Sequence, residues 1–195
     1  MDEKFTLRPA TEADVPLLAM VVAEALDDDI MEQYERAGGE IPAERRERMA
    51  LIEQVVSNPH TLYTWHHATI SCAPDGTPAG ALVAYSGDDY ATRRGVTFRL
   101  FTGALSFDPE QMDAETVPGE YYLDSLAVMP SFRGRGVARM LLQSGIKKAR
   151  ALGRPAILAC APDNHGAKRL YESLGFKETY IYSLFGHPYH RMIVE

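Results

Sequence analysis

Cysteines and long hydrophobic runs are scarce in this sequence of 195 residues. Its two cysteines, Cys72 and Cys160, lie far apart in the chain, which argues against a disulfide scaffold and favours a reducing compartment. No apolar run approaches the roughly 20 residues that a helix needs to cross a bilayer. The N-terminal segment MDEKFTLRP also lacks the apolar core of a signal peptide. We therefore predict a cytoplasmic protein that does not contact a membrane.

Basic residues are too few for a general nucleic-acid-binding protein. Lys and Arg number 20 against 27 Asp and Glu, which gives a net charge of −7. Apolar residues make up 46% and charged residues 24%, a mixture typical of soluble globular proteins. A chain of this length can bury a core of its own. We predict one domain over residues 1–195 and no nucleic-acid partner.

The charges are unevenly distributed along the chain. A basic block between Ser125 and Pro162 contains no Asp or Glu, and an acidic block over residues 108–124 contains no Lys or Arg. A basic block suits an anionic ligand and an acidic block a cationic one, although two solvated faces of opposite sign would explain either block alone. The basic block contains Arg133, Arg135, Arg139, Lys147, Lys148, Arg150 and Arg154, and the acidic block contains Asp108, Glu110, Asp113, Glu115, Glu120 and Asp124.

Hydrophobic periodicity predicts a sheet with helices on its faces. Residues 87–118 stay unassigned, because the segment VTFRLFTGALSF fits a strand or a helix equally well. Predicted strands cover 5–10, 60–72, 79–86, 121–128, 155–160, 176–185 and 189–194, and predicted helices lie in 11–26, 27–58, 136–153 and 164–175. The sheet-facing side of the third helix is predicted to carry Ala138, Leu141, Leu142, Gly145, Ala149 and Leu152.

Two glycines and two arginines stand directly before the helix that begins near residue 136. The first turn of a helix exposes unpaired N–H groups and about half a unit of positive charge. Gly134 and Gly136 have no Cβ, so that a ligand can approach those groups closely. Arg133 and Arg135 add fork-shaped donors suited to phosphate oxygens. We predict a phosphate-bearing ligand here, with a simple tight turn as the alternative.

Two common phosphate-binding patterns do not fit this loop. A P-loop would need Lys followed by Ser or Thr after its last glycine, whereas Val137 and Ala138 follow Gly136. The dinucleotide fingerprint would need a further glycine where Arg139 stands. Neither pattern therefore identifies the ligand, and a tight strand-to-helix turn stays the alternative.

The motif Arg133-x-x-Gly136-x-Ala138 resembles the Q/R-x-x-G-x-G/A motif of the GNAT superfamily of acyl-CoA N-acyltransferases. The segment DNHGAKRLYESLGF, residues 163–176, is similar to the second signature of that family, and LRPATEADVPLL is similar to its opening strand and helix. The resemblance is close over 121–176 and holds only in outline over 27–118. It implies a single α/β domain of the GNAT fold, with a mixed, mostly antiparallel sheet flanked by helices.

The resemblance also implies the reaction, in which acetyl-CoA donates an acetyl group to a primary amine that attacks directly in a ternary complex. In such proteins the loop amides hold the pyrophosphate of coenzyme A. The pantothenate arm pairs with strand backbone, here in a gap between strands 121–128 and 155–160. Asn164 matches a position that often bonds the cofactor, although capping its helix explains it equally well. The implied cofactor-binding residues are Leu126, Ala127, Val128, Arg133, Gly134, Arg135, Gly136, Val137, Ala138, Arg139 and Asn164.

Catalysis needs an acid for the departing thiolate and a base for the amine. Tyr171 matches the family's proposed acid, although its helical spacing alone predicts a core aromatic residue. Asp124 and Glu120 share one face of a predicted strand with Tyr122. We prefer Asp124 as the base, with Glu120 second and a water chain as a further alternative. The paired histidines lack a completing ligand set, and no metal is predicted.

The resemblance does not identify the acceptor. The acidic block, together with acidic runs at residues 27–29 and 88–89, favours a cationic amine, either a small molecule or a peptide. A non-catalytic acetyl-CoA-binding sensor or partner module would carry the same binding motifs and is the alternative. A homodimer is left open.

Overall fold

The computed structural model describes residues 4–26, 29–101 and 108–195. Within these residues seven strands form one sheet. The strands are β1 (Thr6–Pro9), β2 (Ala68–Cys72), β3 (Pro78–Ser86), β4 (Tyr121–Val128), β5 (Ala156–Cys160), β6 (Lys177–Leu184) and β7 (His187–Val194). The helices are α1 (Val15–Ala25), α2 (Ile30–Arg36), α3 (Arg46–Ser57), α4 (Tyr90–Leu100), α5 (Val137–Ala151) and α6 (His165–Ser173), with short 3-10 turns between some of them.

The strand order in the sheet is β1-β2-β3-β4-β5-β7-β6. Neighbouring strands pair antiparallel from β1 to β3 and from β5 to β6. β4 and β5 pair in parallel at their starts, Tyr121 with Ala156 and Tyr122 with Ile157, although β4 continues to Val128. The predicted α/β fold, a mixed and mostly antiparallel sheet flanked by helices, is confirmed.

The chain divides into two compact units. The first comprises Met1–Val83 and Ser125–Leu141, and the second comprises Ala84–Asp124 and Leu142–Glu195. The prediction of a single domain therefore stays a prediction. No helix in the described ranges is both long and apolar enough to span a membrane.

In the first unit the start of α1 is fixed by a local hydrogen bond, since the backbone N–H of Thr11 donates to Asp14 Oδ2 at 2.7 Å. A side chain three residues along the chain that accepts from the N–H of the capping residue is one half of a capping box. Beyond it, α1 buries Leu18 and Val22 completely, and α3 buries Val55 in the same way. Apolar burial between these helices stabilises the unit.

Two stretches differ from the sequence-based prediction. The strand predicted over 60–72 begins only at Ala68, because the hydroxyl of Thr61 donates to the carbonyl oxygen of Val55 at 2.7 Å and the backbone folds against the end of α3. Within the unassigned segment 87–118, residues 90–100 form α4. Residues 102–107 lie outside the described ranges.

The prediction that Leu152 faces the sheet is wrong. α5 ends at Ala151, and the Leu152 side chain is 51% exposed. Val137 and Ile146 are buried instead, with 2% and 5% exposure. The 3.6-residue pattern was extended beyond the last turn of the helix, and it therefore placed a terminal residue on the wrong side.

Gly80 lies in β3 at a close approach to the backbone of β4. An added Cβ would stand 2.5 Å from the carbonyl oxygen of Ala127 and 3.0 Å from the Cα of Val128. A hydrogen bond also joins these two segments nearby, since the N–H of Met129, directly after β4, donates to the carbonyl oxygen of Ala79 at 2.9 Å. Only glycine fits here without moving the strand that carries Ala127 and Val128.

Replacing Gly80 with alanine is expected to lower the free energy of unfolding by about 2–3 kcal/mol, since backbone atoms cannot rotate away from the added methyl group. Gly95→Ala is the matched control. Gly95 lies inside α4 with only the side chain of Arg99 near an added Cβ, at 3.7 Å. The same methyl group should there stabilise the helix by up to about 1 kcal/mol. Urea unfolding measures both, and equal stability of the two variants would contradict the close approach.

Candidate active site

The glycine loop lies in the first unit, between β4 and α5. Gly134 and Gly136 have φ angles of +75° and +83°, a left-handed conformation that glycine adopts without steric cost. Within the part of the chain that the structure describes, no atom lies within 4 Å of an added Cβ at either position, apart from the chain neighbours. The first α5 hydrogen bond runs from the N–H of Met140 to the carbonyl oxygen of Gly136 at 3.0 Å. The amides of Val137 and Ala138 precede that bond and have no acceptor within the helix.

Arg133 at the start of this loop is held by carboxylates. Its Nη2 lies 3.0 Å from Glu24 Oε1, its Nη1 pairs with Glu32, and its Nε donates to the carbonyl oxygen of Val128 at 3.0 Å. The sequence predicts Arg133 as a direct phosphate donor. In the structure its guanidinium ties the loop to α1 and α2.

Arg135 stacks on an aromatic side chain of the same loop. Its guanidinium carbon lies 5.6 Å from the centre of the Phe132 ring, and Phe132 meets Phe5 edge to face at 6.0 Å. Such a contact orients the planar head of an arginine. The side chains before the loop alternate in burial, with Ala127 buried and Leu126 and Val128 half-buried. The loop thus places two left-handed glycines, with open space at their Cα atoms, beside an oriented cation.

Asp124 lies in the second unit, at the middle of β4. Its carboxylate is half-buried and its Oδ2 accepts a hydrogen bond from the hydroxyl of Tyr85. The rings of Tyr85 and Tyr122 lie 5.8 Å apart. A carboxylate that is partly shielded from water and close to aromatic rings is a suitable general base.

Glu115, in the loop before β4, is a buried carboxyl that the sequence reasoning missed. Its side chain is 2% exposed, and the hydroxyl of Tyr90 donates to its Oε2 at 3.1 Å. The hydroxyl of Tyr122 lies 3.5 Å from Oε1. Burial, followed by the negative charge of Asp124, raises the pKa of Glu115 well above its usual value. No local pattern separates Glu115 from exposed members of the acidic block, so only the fold reveals it.

Glu120, the second candidate base, is engaged at both carboxylate oxygens. Oε1 forms an ion pair with Arg191, which is 8% exposed. Oε2 accepts from the hydroxyl of Thr116 at 3.0 Å and from the N–H of Val117 at 3.1 Å. Both carboxylate oxygens of Glu120 are therefore bonded within the fold, and Asp124 is the other candidate base.

Other members of the acidic runs also have internal partners. Asp113 Oδ2 accepts from the N–H of Ser183 at 2.7 Å, and Asp108 Oδ1 accepts from the N–H of Glu110 at 3.0 Å. Asp88 forms an ion pair with Arg154 at 2.6 Å. Residues 27 and 28 lie outside the described ranges. The charge argument for a cationic acceptor is therefore weaker than the sequence suggests.

Tyr171 and Asn164 belong to α6 in the second unit. The Tyr171 ring meets Phe176 edge to face at 6.0 Å, and burial raises the pKa of the Tyr171 hydroxyl, which thus keeps its proton at neutral pH. Among the described residues no hydrogen-bond partner of this hydroxyl is recorded. Asn164 Oδ1 accepts from the N–H of Ala167 at 3.0 Å, which confirms its capping role. The described residues contain no group of three His, Cys, Asp or Glu side chains that would hold a metal ion.

A family model described as the acetyltransferase (GNAT) family matches residues 23–176, most of the chain. The chain belongs to this family. The acyltransferase class predicted from the two signatures is thereby confirmed at the level of the GNAT family. The first signature lies on the loop with the two left-handed glycines, and the second on α6.

Individual relatives are N-acetyltransferases. N-alpha-acetyltransferase RimI of Mycobacterium tuberculosis is 39% identical over 64 residues, 33% of this chain and 39% of that protein. N-alpha-acetyltransferase MAK3 of Arabidopsis thaliana is 28% identical over 149 residues, 71% of this chain and 65% of that protein. The matches thus span less than two thirds of either relative. A crystal structure of an acetyltransferase superposes with a TM-score of 0.72 at 27% identity, over 97% of this chain and 98% of that one.

Proposed function

We propose that the protein transfers the acetyl group of acetyl-CoA to a primary amine by direct attack in a ternary complex. The observation that carries this proposal is the loop at Gly134 and Gly136, where left-handed backbone and open space precede the N-terminus of α5 within a matched GNAT signature. An anion at a helix N-terminus is stabilised by the unpaired N–H groups and by the helix dipole.

The loop fits the pyrophosphate of coenzyme A. The amides from Gly134 to Arg139 would hold it, with Arg135 as the nearby cation and Arg133 fixing the loop. The backbone of Leu126, Ala127 and Val128 would pair with the pantothenate arm, a form of strand addition. The limited β4–β5 pairing, which involves only the first two residues of β4, supports this proposal. Asn164 is retained as a helix cap and as a candidate cofactor contact.

The chemical step moves protons at two atoms, the attacking nitrogen, which loses two, and the departing sulfur, which gains one. An amine with a pKa of about 10.4 is mostly protonated at neutral pH, and forming the neutral nucleophile costs about 4–5 kcal/mol. Asp124 accepts the first proton from the ammonium nitrogen, the freed lone pair forms the C–N bond, and the C–S bond of the thioester breaks. Tyr171 gives its proton to the thiolate, the second proton of the acylated nitrogen passes to solvent, and the Tyr171 phenolate regains a proton from solvent. Amides near Val128 would stabilise the oxyanion during attack.

The names of two relatives support one class of acceptor. Two curated relatives are named N-alpha-acetyltransferases, which supports the α-amine of a peptide as the first acceptor to test. A small-molecule amine is the alternative. A cytoplasmic location and a homodimer stay predictions.

The proposal is tested by isothermal titration with acetyl-CoA and with coenzyme A, followed by thiol release in the presence of a panel of peptide and small-molecule amines. We expect binding of both ligands and thiol release that depends on an amine. Binding without release from any amine would favour the non-catalytic module. Absence of binding would reduce the glycine loop to a turn and overturn the proposal.

Replacing Tyr171 with phenylalanine should lower kcat by about 100-fold, because the thiolate would leave without a proton donor. The KM for acetyl-CoA should change little, since the ring and its contact with Phe176 remain. Tyr180→Phe is the matched control, because Tyr180 is 54% exposed on β6. Steady-state kinetics of both variants provide the measurement, and an unchanged kcat in Tyr171→Phe would remove the acid role from Tyr171.

A further inference from the structure

Glu115 is buried, and its charge interacts with that of Asp124. Among the described residues no ion pair of its carboxylate is recorded, and the proposed reaction has not used it. Tyr90 of α4 and Tyr122 of β4 contact its carboxyl oxygens. Arg94 of α4, Asp124 of β4 and Tyr182 of β6 interact with its charge. The Tyr90 hydroxyl also accepts from the backbone N–H of Glu115 at 3.1 Å. Side chain and backbone of Glu115 are therefore held by the same phenol.

Arg94, the cation among these groups, directs its hydrogen bonds elsewhere. Its Nη2 donates to the carbonyl oxygen of Pro109 and, at 3.2 Å, to that of Met112. Within the described ranges no ion pair between Arg94 and Glu115 is recorded. Phenol hydroxyls alone compensate poorly for the loss of water around an ionised carboxylate.

The Tyr182 hydroxyl adds a further buried phenol to this cluster. Tyr182 is 4% exposed, and no standard hydrogen bond of its hydroxyl is recorded among the described residues. Buried hydroxyl groups in proteins nearly always have a partner. The hydroxyl of Tyr122, which interacts with that of Tyr182, is the candidate for this partner.

We propose that Glu115 is a positioning carboxyl that holds a proton at neutral pH and, through its charge interaction with Asp124, sets the pH range in which Asp124 accepts the amine proton. This inference rests on the proposed acetyl transfer. With Glu115 neutral, the pair carries one negative charge, located on Asp124. The proton moves from the ammonium nitrogen to Asp124, and Glu115 changes only the electrostatic cost of that transfer.

The sign of the pH effect follows from burial. Burial and the charge of Asp124 raise the pKa of Glu115 to about 8. A carboxyl whose pKa is raised by folding contributes stability that is fully present below its unfolded pKa, about 4.3, and that is lost as the pH rises through the folded value. Above that value a second negative charge stands near Asp124 and strengthens its hold on a proton.

The experiment measures the free energy of unfolding in urea from about pH 5 to about pH 9 for the wild type, Glu115→Gln and Asp124→Asn. We expect the wild type to lose stability relative to Glu115→Gln as the pH rises toward 8. In Asp124→Asn the loss of unfolding free energy should be complete about one pH unit lower, because the negative charge of Asp124 no longer opposes ionisation of Glu115. Glu178→Gln is the control. Lys168 lowers the pKa of the exposed Glu178, so that Glu178→Gln should change the pH dependence of the unfolding free energy only at more acidic pH.

Two results would overturn the inference. One is a constant stability difference between the wild type and Glu115→Gln over this range. The other is a loss of unfolding free energy in Asp124→Asn that is complete at the same pH as in the wild type. If Glu115→Gln does not fold, Tyr90→Phe serves in its place. The hydrogen bond from Tyr90 lowers the pKa of Glu115, so that its removal should move the loss of unfolding free energy to higher pH than in the wild type.

The effect of Glu115 on the reaction is measured as the pH dependence of kcat/KM. We expect the ratio of wild type to Glu115→Gln to rise about threefold to tenfold as the pH passes through about 8. A ratio that does not depend on pH overturns the role in proton transfer while leaving acetyl transfer intact. If no amine is acetylated at any pH, the proposed function fails and the role in proton transfer fails with it. The unfolding series still reports separately whether Glu115 holds its proton.

Discussion

Replacing Arg135 with glutamate and Gly136 with aspartate is expected to weaken coenzyme A binding about 1000-fold. The double variant removes a cation and brings two carboxylates to the N-terminus of α5, where the pyrophosphate is proposed to lie. Each charge-assisted hydrogen bond that is lost costs about 1.5–3 kcal/mol, and two of them give an effect of this order. The change at Gly136 also strains a backbone with φ of +83°. Isothermal titration with coenzyme A measures the change.

The opposite end of α5 offers a matched control. In Arg150→Glu with Gly153→Asp the same two residue types change, and Gly153 also has a left-handed backbone, with φ of +66°, and open space around an added Cβ. This control should lose a comparable amount of stability and retain its affinity for coenzyme A. Equal affinity of the two double variants would show that the glycine loop does not bind the cofactor.

Asp124→Asn should lower kcat by about 1000-fold, which lies within the range that a general base contributes. Asparagine keeps the size of the side chain, but it cannot accept the ammonium proton. The hydrogen bond from Tyr85 can be retained at the amide oxygen, so that the fold should be preserved. Steady-state and single-turnover kinetics with a saturating amine separate this effect from binding.

Asp113→Asn is the control for the removal of one negative charge from the acidic block. Asp113 bonds the backbone N–H of Ser183, and its amide variant should keep nearly the full rate. A raised pH should partly rescue Asp124→Asn, because a larger fraction of the amine is then already neutral. Full activity of Asp124→Asn at neutral pH would exclude Asp124 as the base and favour a water chain.

The sequence was most informative where the chemistry is local. The turn at Gly134 and Gly136 and the cap by Asn164 both follow from a few adjacent residues. Glycine and capping side chains have narrow conformational roles, so their positions can be read directly. The same residues carry the GNAT signatures, which explains why family and fold could be predicted together.

The sequence was least informative where partners are distant in the chain. Arg133 pairs with Glu24 and Glu32, which lie 109 and 101 residues away. Glu115 is buried under tyrosines from α4 and β4, although its neighbours in sequence are mostly exposed. Local periodicity contains no information on such pairings, because they depend on how the whole sheet and its helices pack.

One measurement tests the central claim directly, namely mass spectrometry of an amine incubated with the protein and acetyl-CoA. Peptides with a free α-amine, the same peptides with a blocked N-terminus and small-molecule amines form the panel. The account predicts an acetyl group on the nitrogen of at least one free amine, one thiol released per acetyl group, and almost no product with Asp124→Asn. Thiol release without an acetylated amine, or equal product from Asp124→Asn, would contradict it.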